Sequence, residues 1–267
     1  MRVLVAFLAA SILSDTCAEP TVQDYGALPE IQNAAISPNG DLVAFRKVTS
    51  DQDVILVVSL QKGAAVAAID VGPIKPRDIF FVNNEQVLLR AAANRRVDGF
   101  KGRFDVSTLF SLDVESGKIR QLLNPGDDKV YPGQSGLGRV VGHTPDGKYL
   151  FMPAYYGTPS RVLGEYAAPP FSLMRVPIGA GRPKRIQSGS ISTIDYFVDD
   201  AGEPIVKEEF DESDNLHSVY ARQQRGWEEI YQSKGELIDR AFVGLTPDRG
   251  HLVALDTSDE TGRTAYF

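Results

Sequence analysis

Ser37-Pro38-Asn39-Gly40, Thr144-Pro145-Asp146-Gly147, Asp199-Asp200-Ala201-Gly202 and Thr246-Pro247-Asp248-Arg249-Gly250 are versions of one tight turn, and each is followed by a short apolar run. Asn83-Asn84-Glu85 is a degenerate further copy. Proline presets φ at the second turn position, and Asn, Asp and Gly tolerate the left-handed conformation that follows. Working outward from each turn gives the same order of segments. In the first unit Ala34-Ala35-Ile36 precedes the turn, Leu42 to Arg46 follows it, and Val54 to Leu60 is joined by Gln61-Lys62-Gly63 to Ala64 to Ile69. Apolar runs of this length between Gly, Pro, Asn and Asp clusters read as antiparallel strands.

The order recurs as Ile79 to Val82, Gln86 to Arg90, Thr108 to Val114 and Ile119 to Leu123. It recurs again from Arg139 to Gln187 and from Thr193 to Gln232, and a last unit runs from Ile238 to Phe267. Unit starts lie roughly 45 to 60 residues apart, the period of propeller blades. Four strands per unit is the composition of a blade. The sequence therefore predicts an all-β fold, a β-propeller of four-stranded antiparallel blades near 34–69, 79–123, 139–187, 193–232 and 238–267. About four and a half blades are expected, in an incomplete ring, after a lead-in segment at 19–33. A β-sandwich of hairpins would account for the strands but not for their fourfold order.

The 267 residues carry a net charge of -7, which argues against a nucleic-acid-binding surface. Arg2, the apolar stretch from Val3 to Leu13 and the small-residue pattern Thr16-Cys17-Ala18 read as a signal peptide over residues 1–18, cleaved after Ala18. That stretch is too short to span a bilayer, so a periplasmic or secreted protein without a membrane span is expected. Cys17 is the only cysteine, so the mature chain is expected to hold no disulfide.

In a four-stranded blade the turns after the first and third strands share one face, and the connections after the second and fourth share the other. The long insertions all fall on the second set. Residues 92–107 read as a basic loop with Arg95, Arg96, Lys101 and Arg103; residues 155–170 as a Tyr- and Pro-rich loop with Tyr155, Tyr156, Arg161, Glu165 and Tyr166; residues 124–138 as a Gly/Asp loop. Loops on a rigid scaffold carry binding. Arg95, Arg96, Lys101, Arg103, Tyr155, Tyr156 and Arg161 are thus the candidate binding residues.

No catalytic set emerges. Gly133-Gln134-Ser135-Gly136-Leu137 departs from a nucleophile elbow at its last position and reads as a flexible loop. His143, His217 and His251 read as packed or surface histidines without a paired carboxylate, and no metal or cofactor is expected. The acidic run Asp199, Asp200, Glu203, Glu208, Glu209, Asp211, Glu212 and Asp214 reads as solvated charge.

Tyr25-Gly26-Ala27-Leu28-Pro29 and the stretch Ala34 to Phe45 resemble the start of bacterial prolyl oligopeptidase-type serine peptidases. Lys75-Pro76-Arg77-Asp78-Ile79-Phe80-Phe81 followed by Gln86-Val87-Leu88-Leu89 is similar to their second-blade start. Related turns occur in TolB-like propellers. The resemblance implies a propeller that gates short peptides toward an α/β-hydrolase domain carrying a Ser-Asp-His triad. No position here matches the triad, so the expectation is a non-catalytic propeller whose peptide substrates are met through that missing domain. A propeller enzyme such as a lactonase or lyase would need a metal or acid/base cluster that the sequence does not display. The alternative is a stand-alone TolB-like propeller that binds a protein or envelope ligand. The last unit breaks off in its third strand at Ala265-Tyr266-Phe267, an open aromatic edge of the kind that invites self-association.

Overall fold

The computed structural model describes residue 26 and residues 29–97, 99–126, 128–162, 165–257 and 262–267, with the side chains of 160–166 left aside. The signal peptide and most of the lead-in segment lie outside the described residues. The described chain is built of strands arranged in five blade-like sheets, and it is a β-propeller with an incomplete ring.

The first sheet holds β1 (Ile31–Ile36), β2 (Leu42–Val48), β3 (Asp53–Ser59) and β4 (Ala64–Asp70) in sequential order. The second holds β5 (Lys75–Phe81), β6 (Gln86–Arg95), β7 (Phe104–Asp113) and β8 (Ile119–Leu122). The third is β9 (Gly142–His143), β10 (Tyr149–Tyr155), β13 (Phe171–Pro177) and β14 (Lys184–Gln187); a separate hairpin, β11 (Ser160–Val162) and β12 (Glu165–Ala167), is inserted after β10. The fourth is β15 (Thr193–Val198), β16 (Pro204–Asp211), β17 (Leu216–Gln223) and β18 (Gly226–Lys234). The fifth shows β19 (Ala241–Leu245), β20 (Leu252–Thr257) and β21 (Thr264–Tyr266). Within each sheet every pairing is antiparallel between neighbours in sequence, apart from the hairpin insertion. β1 begins at Ile31 rather than Ala34, its ladder kinked by a bulge between Gln32 and Ala35.

The turn chemistry behaves as the repeat implies. In the third blade Thr144 Oγ1 donates to Asp146 Oδ1 at 2.6 Å, and Asp146 Oδ1 accepts from Lys148 N. These bonds hold the Asp146 carboxyl down at about 2. Ser37 with Asn39 and Thr246 with Asp248 make the same hydroxyl-to-side-chain bond in the first and fifth blades. Adjacent turns also touch. Asn39 N donates to Asn84 Oδ1 at 3.0 Å, and Arg249 pairs with Asp200 at 2.7 Å.

The core lies between sheets, in four layers. Ala44, Ile55 and Val57 meet Ile79, Val87, Leu89 and Leu112 between the first two blades. Leu88, Leu109 and Leu122 meet Leu150, Met152, Met174 and Val176 between the second and third. Phe151 and Leu173 meet Tyr196 and Val198 next, and Phe197, Val206 and Val219 meet Phe242, Leu245 and Leu252 last. Alternation along a strand explains the division, since successive side chains point to opposite faces. In β10, Leu150, Met152 and Ala154 face the second blade while Phe151 faces the fourth.

One turn glycine is fixed by this packing. Gly202 has φ of 84°, and a Cβ there would fall inside the Phe151 ring of the neighbouring blade. Gly40 has φ of 77° but open space around it. Left-handed backbone costs a non-glycine residue about 1–2 kcal/mol, and overpacking adds about 1–3 kcal/mol. Gly40→Ala is therefore expected to lower unfolding free energy by about 1 kcal/mol, and Gly202→Ala by at least about 2 kcal/mol more, in urea denaturation. Equal losses at the two positions would show that the Phe151 contact does not constrain the turn.

Candidate functional site on the long-connection face

The three longest connections between blade strands, after β6, β8 and β10, leave one face of the propeller, the last of them carrying the β11–β12 hairpin. The basic segment is shorter than the sequence suggests. β6 and β7 run ten residues each and stay paired out to Arg95 and Phe104, so only residues 96–103 connect them, and Arg95 is the last residue of a strand. The 155–170 segment is likewise not all loop, because it contains the β11–β12 hairpin.

Gly133 to Leu137 is no flexible loop. Gln134 is buried, and its Nε2 donates to the carbonyls of Tyr131 at 2.7 Å and Tyr155 at 3.1 Å, while its Oε1 accepts from Tyr155 N at 3.0 Å. Ser107 Oγ donates to the carbonyls of Ser135 and Leu137, and Leu137 is buried in the layer between the second and third blades. Isolated bridges join Ser107 to Gly136 and Val130 to Tyr156. Ser135 therefore sits in a segment pinned by its own backbone. The Gly-rich sequence gave the chain freedom to turn, but the amide of Gln134 fixes it.

Three cavities open around this pinned segment. The first, about 330 Å³, has Ile74, Ala91, Ala93, Val106 and Phe110 in its walls, with Arg95 and Arg96 beside them. Its space comes from the sequence: Ala91-Ala92-Ala93 in β6 carry no atoms beyond Cβ. The second, about 360 Å³, is lined by Phe100, Tyr131, Gln134, Ser135, Tyr155 and Phe171. The rings of Tyr155 and Phe171 are 5.0 Å apart. The third, about 600 Å³, includes Arg120, Asp128, Tyr156 and Arg182. Arg185 lies over the Tyr156 ring at 5.7 Å.

The candidate residues thus divide. Arg95 and Arg96 share one cavity, Tyr155 lines the second and Tyr156 the third. Arg103 is a clamp, donating to the Asn94 side chain at 2.7 Å and to the Asn94 carbonyl. Lys101 is exposed and lines none of these cavities. Arg161 is in β11, and its side chain lies outside the described residues. Phe100, Tyr131 and Phe171 carried no distinguishing pattern in the sequence; only the folded connections bring their rings together.

A second polar group is buried between blades, contrary to the solvated charge and unpaired histidine that the sequence implies. His217 does have a carboxylate partner: its Nε2 is 2.7 Å from Glu208 Oε1, and both side chains are nearly fully buried. Glu208 is therefore not a solvated charge. Nor is Glu209, which accepts from Lys207 Nζ at 2.8 Å and from Ser190 and Thr193. His143 and His251 are exposed. The register places Asp195 of β15 opposite Glu208 of β16, and Arg139 pairs with Asp195. Tyr231 and Phe242 pack their rings on His217, at 5.6 and 5.8 Å, so the group reaches the fifth blade. A His and a Glu nine residues apart on adjacent strands can be read as neighbours only when the ladder register is known. Among the described residues no three His, Cys, Asp or Glu side chains are grouped to hold a metal ion. No helix of the described residues is long and apolar enough to cross a membrane.

The architecture is that of a β-propeller, and comparison with solved structures agrees. The chain is similar to an acylaminoacyl peptidase from Pyrococcus horikoshii at 14% identity and a TM-score of 0.50, with 90% of this chain matched to 37% of that one. The propeller domain of the Trilobed protease from Pyrococcus furiosus gives 13% identity and 0.49, with 89% of this chain matched to 67% of that one. TolB from Acinetobacter baumannii gives 15% and 0.47, with 89% matched to 51%. The chain thus spans about half of TolB and little more than a third of that peptidase. At such identities the likeness is one of fold. No family model matches the sequence, and no curated protein matches it either.

Two outcomes follow from the geometry. Desolvation pushes the Asp195 carboxyl up to about 6 from 3.8, outweighing the attraction of Arg139. Burial also pushes Glu208 up. A carboxyl that binds its proton more tightly folded than unfolded stabilises the fold fully below 3.8, and that contribution is lost as pH rises through about 6. Asp195→Asn should flatten the stability-versus-pH curve between pH 4 and 7, by up to about 3 kcal/mol; a curve parallel to that of the parent chain would refute this assignment. Gln134→Ala should cost about 2 kcal/mol by orphaning the part-buried Tyr155 N–H and Tyr131 carbonyl, and speed amide exchange at Tyr155. Unchanged exchange there would mean that Gln134 does not hold the segment.

Proposed function

We propose that this chain is the non-catalytic propeller of an exported serine peptidase of the prolyl oligopeptidase type, gating short peptides and docking a hydrolase domain through its long-connection face. The observation that carries this reading is the grouping of three cavities around the segment pinned by Gln134, one with Arg95 and Arg96, one with the rings of Phe100, Tyr131, Tyr155 and Phe171, and one with Tyr156, Arg120 and Arg182. Their volumes of about 330, 360 and 600 Å³ suit one or a few amino-acid residues each. Aromatic rings offer large apolar contact at little entropic cost, and arginines offer charge-assisted bonds to carbonyl or carboxylate oxygens. The resemblance of Tyr25 to Pro29 and of the first two blade starts to those peptidases points the same way. Export rests on Arg2 and the apolar Val3 to Leu13, so a mature N-terminus at Glu19 in the periplasmic fraction is part of the reading.

Fluorescence anisotropy with labelled hexapeptides tests the peptide role. Saturable binding is expected, weakened about tenfold or more by a Phe100→Ala, Tyr155→Ala double variant that removes two rings from the aromatic cavity. A folded protein should not compete. Absence of peptide binding, or equal competition by a folded protein, would sink the gating role.

A further inference from the structure

The cavity below Arg95 and Arg96 has a composition that selects a ligand. Half-buried Ala93, Val106 and Phe110 give it an apolar wall, with Ala91 buried behind them. Thr108 and Gln121, hydrogen-bonded to each other at 3.1 Å, add a polar strip to one wall. No described carboxylate lines it.

The two arginines at its rim are unusual within their own blade. Lys75 and Arg77 share Asp105, Arg90 pairs with Asp78 at 2.8 Å, and Arg103 is held by Asn94. Arg95 and Arg96 have no ion-pair or hydrogen-bond partner among the described residues. The protein as a whole is acidic, at -7, so two guanidinium groups without a partner among the described residues stand against the overall charge. Guanidinium groups bind carboxylates in charge-assisted pairs, shorter and stronger than neutral hydrogen bonds. The apolar space beneath accepts a small hydrocarbon side chain and desolvates it.

We propose that this cavity binds the free carboxyl end of a peptide, with the terminal carboxylate on Arg95 and Arg96 and a small apolar terminal side chain against Ala93 and Val106. This rests on the peptide reading given above and names the part of the peptide that the site takes. It makes the second blade a reader of chain ends: a peptide with a free terminus is anchored here, while a segment internal to a folded protein offers no main-chain carboxylate to it. The aromatic cavity of Tyr155 and Phe100 shares Gln134 with this one, so the chain preceding the anchored end has a neighbouring place to lie.

The test is a calorimetric titration of the full chain with N-acetyl-leucyl-alanine as the free acid, with its amide, and with hexanoate. The acid should bind at least tenfold more tightly than the amide, and more tightly than hexanoate, with affinity falling as salt is raised. Arg95→Gln with Arg96→Gln should abolish the preference for the acid while leaving the circular dichroism unchanged. Ala93→Leu, which fills the cavity and keeps both charges, should weaken acid and amide alike. Equal affinity for acid and amide, no binding of either, or a preference that survives the double arginine variant would overturn the proposal. Tighter binding of hexanoate would overturn the peptide end as its source. If hexapeptides bind but show no dependence on a free carboxyl end, the gating reading stands and this one fails. If the acid binds while hexapeptides do not, the carboxylate site stands and the gating reading fails.

Discussion

A four-stranded sheet with apolar residues on both faces cannot bury either face by itself. Everything else in this chain follows from that constraint. Leu150 and Met152 on one side of β10 and Phe151 on the other require a sheet to the left and a sheet to the right. Full burial of each such side chain contributes about 1.5–3 kcal/mol, so the stability of any blade resides mostly in its contacts with the next. The face-to-face stacking of successive sheets is the arrangement that satisfies all of them, and the inherent twist of each sheet turns the stack into a ring segment. The tight turns are consequences of this spacing as much as causes of it. Gly202 is glycine because the Phe151 ring of the adjacent blade occupies the place of its Cβ.

Polar groups are tied into the same stacking. Arg139 ahead of β9, Asp195 and Glu208 on neighbouring strands, His217 beside them and the rings of Tyr231 and Phe242 form a chain of contacts from the third blade to the fifth. Burying several ionisable groups together is costly unless they are paired; Glu208 pairs with His217 inside the fourth blade, and Arg139 reaches Asp195 across the boundary from the third. Register between blades is thereby fixed by chemistry as well as by apolar area. The long-connection face uses the same device on a smaller scale, with one buried amide, Gln134, holding a glycine-rich segment against the end of β10. Tyr131 and Tyr155 are thereby held on either side of Gln134 at the wall of the aromatic cavity.

The repeated Ser/Thr-Pro-Asn/Asp-Gly turns, the β-branched runs and the order of four strands determined the all-β propeller, because turn chemistry and period-two alternation are local properties. The grouping of long connections on one face was equally legible, since antiparallel order alone dictates it. So were Arg95, Arg96, Tyr155 and Tyr156 as residues of that face. What only the tertiary structure decided is how those residues divide among separate cavities, that Arg103 is a clamp on Asn94, and that strands β6 and β7 continue through residues the composition marked as loop. The burial of Glu208 against His217 belongs to the same class. Each of these depends on ladder register and on what the next blade places opposite. A carboxylate on a strand reads as solvated until its own face is known to be covered, because alternation assigns it a side but not a neighbour.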